Sequence, residues 1–137
     1  KHQIISLIHL AKSLIKKYKI RPNNILGHSD IAPLRKKDPG ERFPWKYLSK
    51  QKIGLWHNLS SVELRKFRNK KHNEFKRKFF LKNLIKIGYS KFRINKSSQS
   101  NYEKSLIKAF QRRFRPELIN GKIDNECLLI SENLLKK

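Results

Sequence analysis

One imidazole and one carboxylate stand ten positions apart in "GHSDIAPLRKKDPG", residues 27–40. They are His28 and Asp38, and between them lie Arg35, Lys36 and Lys37. A histidine nitrogen and a carboxylate oxygen brought together by a loop suit zinc, a borderline-soft ion that accepts both donors. A catalytic zinc site needs three protein ligands, so the pair alone leaves an alternative open: an aspartate that caps a turn and a histidine that is merely hydrogen-bonded.

The loop is identified by Pro33 and Pro39, which a helix interior does not tolerate cheaply. Before it, "NILGH" (24–28) is short, apolar and bounded by turn residues, which predicts a buried strand that would hold His28 rigidly. Ile4, Leu7, Ile8, Ala11, Leu14, Ile15 and Tyr18 keep helical spacing and predict a helix over 3–18. Residues 43–54 read as a short helix with Pro44 in its first turn and Gly54 as its stop.

A new helical stretch starts near Ser60 or Ser61. Residues 73–87 form a helix that brings Phe75, Phe79, Phe80, Leu84, Ile85 and Ile87 to the core. Residues 89–101 form a polar loop, and Leu106, Ile107, Ala109, Phe110 and Phe114 stripe a helix over 102–114. Gly121 supplies a positive φ, and Asp124 caps a last helix over 125–135. His57 and His72 are expected to be solvated. The second half is thus a small helical bundle, expected to be independent of the first.

Lys and Arg number 34 against 10 acids, a formal charge of +24. So basic a chain suits an anionic partner, although dispersed lysines also simply keep a surface wet. "RKFRNKKHNEFKRKFF" (65–80) interleaves basic and aromatic residues, but no nucleic-acid-binding motif accompanies it, and a solvated basic helix is the simpler reading. Cys127 stands alone and excludes an intrachain disulfide framework. No apolar run is long enough to cross a bilayer. The chain starts at Lys1 with a helical repeat already under way, so its N-terminus reads as cut.

The string "GHSDIAPLRKKDPGERFPW" (27–45) resembles the signature of zinc-dependent N-acetylmuramoyl-L-alanine amidases, type 2, the family that includes the peptidoglycan recognition proteins. "QIISLIHLAKSLIKKYKI" and "KIGLW" are similar to the flanking family segments, so the resemblance covers residues 3–56. "AFQRRFRPE" and "GKID" resemble a helical peptidoglycan-binding module, with Cys127 where that module usually carries Thr.

The resemblance implies an α/β amidase core, N-terminally truncated, followed by an all-α three-helix module, the whole mostly helical. The boundary falls between 1–57 and 58–137. It implies hydrolysis of the amide between N-acetylmuramic acid and L-alanine, with Zn2+ held by His28 and Asp38 and with Lys36 as the oxyanion-steadying cation. The family's first zinc histidine and its acid/base glutamate would precede residue 1, which implies a weakly active or inactive copy. Peptidoglycan or muropeptide fragments are the expected partners, in the periplasm or cell envelope or, alternatively, the cytoplasm. A monomer is expected. A non-catalytic peptidoglycan binder is the second reading, and a nucleic-acid-binding protein the third.

Overall fold

The computed structural model describes residues 2–70, 74–89 and 96–136. Seven α-helices occur among them: α1 (His2–Tyr18), α2 (His28–Ile31), α3 (Trp45–Lys50), α4 (Ser61–Arg65), α5 (Glu74–Ile87), α6 (Lys96–Phe114) and α7 (Asn125–Leu134), with a 3-10 turn at Pro22–Asn24. No strand occurs among the described residues. The expected α/β core is therefore corrected, and with it the strand at 24–28. Pro22–Asn24 is a 3-10 turn, and His28 opens α2. Gly27 keeps extended dihedrals (φ −89°, ψ 162°). A strand persists only where a neighbour pairs its N–H and C=O groups, and no described segment offers one.

α1 runs as its spacing predicts. Its apolar face, Ile4, Leu7, Ile8, Ala11 and Ile15, packs on Leu48, Ile53, Ile25 and Phe43 in a first apolar cluster. Lys16 and Lys17 occupy its last turn, where they complement the helix dipole. Leu10, Leu14 and Tyr18 of the same helix remain exposed.

A second, larger cluster fills the rest of the chain. Leu64, Phe80, Leu84, Tyr102, Leu106, Phe110, Phe114, Cys127 and Ile130 are among its buried members. Phe80 and Phe110 meet edge to face with centroids 5.1 Å apart, the arrangement ring quadrupoles favour. Leu84, Ala109 and Phe110 are buried as their spacing requires, but Phe75, Phe79 and Ile85 stay exposed. α5 carries apolar side chains on more than one face and buries only the face that α6 and α7 cover.

α6 begins at Lys96 rather than at 102. Residues 90–95 of the expected polar loop lie outside the described residues, as does His72. Gly121 has φ +71°, and Asp124 caps α7 by accepting from the Cys127 N–H at 3.0 Å. The expected basic helix over 65–80 is broken: α4 ends at Arg65 and α5 starts at Glu74. Arg68, between them, forms a two-armed ion pair with buried Glu126 at 2.6 and 2.7 Å. Arg115 reaches the same carboxylate, so this buried acid is neutralised from two directions.

Candidate active site

The loop after α2 folds back on the helix that precedes it. Asp38 C=O accepts the Ser29 N–H at 2.8 Å, which ties the far arm of the loop to the first turn of α2. Lys36 N–H and Arg35 N–H both bond to Ala32 C=O, so the intervening chain is a tight turn. Gly27 has no side chain for a local reason: a Cβ there would lie 2.5 Å from Cδ of Pro39. The ring of Pro39 is thereby seated against the backbone next to His28. The Asp38–Pro39 peptide bond is cis.

This folding brings His28 and Asp38 together. The Nδ1 atom of His28 is hydrogen-bonded to Oδ2 of Asp38, and both side chains are more than half exposed. The bond to the His28 ring holds the Asp38 carboxyl below its usual range, and the Lys36 charge adds a smaller push in the same direction.

Beneath the pair lies a buried polar cluster. Asp30, two positions after His28, is buried. Its Oδ2 accepts the Gly27 N–H at 2.9 Å, closing the first turn of α2. Its Oδ1 accepts from the Tyr89 hydroxyl at 2.9 Å, and its Oδ2 pairs with Nη1 of Arg113. Arg113 also donates from Nη2 to the Ile25 C=O at 3.1 Å, and its guanidinium lies 4.0 Å from the centre of the Trp45 ring. Burial, and after it the Asp30 charge, pushes the Tyr89 phenol well above its ordinary range. The helical half, expected to be independent, therefore shares a buried polar seam with the loop. Sequence reasoning passed over Asp30, Tyr89 and Arg113. The signal available was a basic residue on the otherwise apolar face of α6, next to Phe114.

His57, expected in solvent, is buried. It stacks on Trp56 and meets the Phe114 C=O at 3.3 Å from Nε2. Among the described residues no three His, Cys, Asp or Glu side chains gather as a metal site would require. His28 and Asp38 nevertheless fit zinc as two ligands: one nitrogen and one oxygen, adjacent and reachable from solvent.

Such a donor pair is of the kind that metal-dependent hydrolases use, and comparison with known proteins shows what the chain is similar to. The profile of N-acetylmuramoyl-L-alanine amidase matches residues 1–41, which contain His28 and Asp38. The chain is 39% identical over 135 residues to the N-acetylmuramoyl-L-alanine amidase AmiD of Escherichia coli K12, covering 98% of this chain and 48% of AmiD. Its fold matches that of E. coli AmiD bound to anhydro-N-acetylmuramic acid-L-Ala-D-gamma-Glu-L-Lys, with a TM-score of 0.79, 38% identity and coverage of 98% and 51% of the two chains. It also matches AmpDH3 of Pseudomonas aeruginosa in complex with anhydromuramic pentapeptide, at TM-score 0.77, 32% identity and coverage of 98% and 52%.

The matched profile and the likeness to AmiD support a place for this chain among the type 2 N-acetylmuramoyl-L-alanine amidases. That family is generally zinc-dependent. The chain spans about half the length of AmiD. No helix among the described residues is long and apolar enough to cross a membrane.

Proposed function

We propose that this chain supplies part of a peptidoglycan amidase that hydrolyses the amide between N-acetylmuramic acid and L-alanine. The observation that carries the reading is the His28–Asp38 pair, formed on the segment that the amidase profile covers. His28 and Asp38 would hold zinc as two of three protein ligands. When bound, zinc supplies Lewis acidity and makes hydroxide available near neutral pH. Lys36 stabilises the negative charge that develops on the carbonyl oxygen of the scissile amide. Gly27, Pro39 and the Ser29–Asp38 backbone bond keep the loop in the shape that holds these groups together.

The division into an amidase part (1–57) and a helical peptidoglycan-binding part (58–137) belongs to the same proposal, and the two apolar clusters support it. So does a place in the periplasm or cell envelope, where wall polymer is reached; the cytoplasm is the alternative for released fragments. Muropeptides bound in the neighbouring amidase structures support peptidoglycan fragments as the ligand class.

The test joins the chain to the N-terminal half of E. coli AmiD, as a fusion, and measures release of L-alanyl peptide from a purified anhydro-muropeptide with added zinc. Cleavage abolished by His28→Ala or Asp38→Ala is expected. Zinc-dependent cleavage that ignores both substitutions would overturn the reading. Sacculus binding by the 137-residue chain, with no cleavage by the fusion, would favour the non-catalytic binder.

A further inference from the structure

The buried seam beneath the loop has a consequence for the site above it. Asp30 is the common acceptor of three donors, one local and two remote. The local one, Gly27 N–H, fixes the start of the turn that carries His28. The remote ones, Tyr89 hydroxyl and Arg113 guanidinium, come from positions 59 and 83 residues away in sequence. Arg113 makes a second grip on the same strip of chain, at the Ile25 C=O, and stacks on Trp45. Gly54 completes the joint: a Cβ there would lie 2.9 Å from the Trp45 ring and 3.2 Å from Nη2 of Arg113. Residues on both sides of His28 are thus held by one guanidinium, while His28 itself stays in solvent.

We propose that Arg113 and Tyr89 are positioning residues for the His28–Asp38 pair, acting through Asp30. The helical half then does more than bind polymer: it sets the orientation of the imidazole. The physical reason is the shortness of α2. Four residues give a single turn with almost no internal hydrogen bonding, so its orientation must come from outside. A carboxylate buried among three donors has one low-energy position, and the turn moves with it. Lysine could keep the charge at 113 but not the two-pronged contact to Asp30 and Ile25. The metal part of this inference rests on the reading of His28 and Asp38 as zinc ligands.

The experiment uses the 137-residue chain labelled with nitrogen-15 at histidine. The first readout needs no metal: the tautomer of His28, from its ring nitrogen shifts. In the native chain the bond to Asp38 should hold the proton on Nδ1. In Arg113→Met/Asp30→Asn, which removes both buried charges together, the ring should relax toward the mixture of a free imidazole while circular dichroism stays helical. Arg113→Lys should fall between the two, and Tyr89→Phe should show a smaller change in the same direction. The second readout is a zinc titration followed at the His28 ring, where the double variant should bind about tenfold more weakly. A native tautomer in both the double variant and Tyr89→Phe, with the fold kept, would overturn the proposal. A lost tautomer in a chain whose His28 never responds to zinc would leave the positioning role standing and remove the metal reading.

Discussion

Arg113 near the end of α6 and Asp30 in α2 form an ion pair across 83 residues of sequence, and each side chain is only 4% exposed. A pair this buried stabilises only as a pair. Taking two charges out of water costs several kcal/mol per ion, and mutual attraction with hydrogen bonds offsets that cost. Removing one partner leaves the other uncompensated. Arg113→Ala should therefore cost about 3–5 kcal/mol. The Arg113→Met/Asp30→Asn double variant should cost clearly less than the sum of its single substitutions. Urea denaturation of the four members of that cycle measures the coupling.

Gly27→Ala should be among the most damaging single-methyl changes in the chain. The new Cβ would sit 2.5 Å from the Pro39 ring, a group that cannot swing aside. Overpacking of this kind costs about 1–3 kcal/mol. The movement of Pro39 should also carry Asp38 away from His28. Loss of the Nδ1-protonated tautomer in Gly27→Ala, alongside a lowered denaturation midpoint, is the expected pair of results.

Alkaline pH should unfold the protein early. Burial pushes the Cys127 thiol from 9.0 up to about 12. A folded-state value above the unfolded one means that the unfolded chain gives up its proton first. The stability is complete below pH 9 and drains as pH rises from 9 to about 12, by at most ~1.4 kcal/mol per pH unit. The Tyr89 phenol, also raised by burial, adds a decline of the same sign above pH 10. Chemical denaturation between pH 8 and 11 checks this, and Cys127→Ala should flatten the earlier part of the slope. The same thiol should resist a disulfide-exchange reagent at pH 8 until denaturant is added.

In the fusion with the N-terminal half of E. coli AmiD, Lys36→Ala should lower kcat about 10²–10³-fold and leave KM almost unchanged, because a charge that stabilises the developing oxyanion is not needed to bind the ground state. Lys37→Ala should have little effect. Equal losses from the two lysines, or a change confined to KM, would remove Lys36 from its role.

Alone, the 137-residue chain should bind zinc weakly and cleave no muropeptide at a useful rate. On the proposed reading His28 and Asp38 would be two ligands where catalytic zinc takes three. Calorimetric titration with zinc should give little heat at micromolar protein. Tight binding abolished by His28→Ala would show that another side chain of this chain completes the site.

Much of this molecule was legible in the sequence because much of it is local. The 3.6-residue spacing of Ile4, Leu7, Ile8, Ala11 and Ile15 reports a helix wherever that helix packs, and Asp124 caps α7 through a bond only three residues long. Pro33 and Pro39 exclude a helix from the loop by their own geometry. The run from Gly27 to Trp45 carries the resemblance to the amidases, and with it His28, Lys36 and Asp38. Tertiary structure decided what depends on partners remote in sequence. "NILGH" has the composition of a strand, but strand pairing is a relation between two segments, and none of the described residues supplies the second. Phe75 and Phe79 are as apolar as Phe80, yet only Phe80 faces α6. His57 is polar, yet Trp56 and Phe114 bury it. Asp30 reads as one more charge on a charged loop until the fold places Tyr89 and Arg113 against it. Local periodicity encodes which way a side chain faces from its own backbone. Only the packing of one half on the other decides what it meets there.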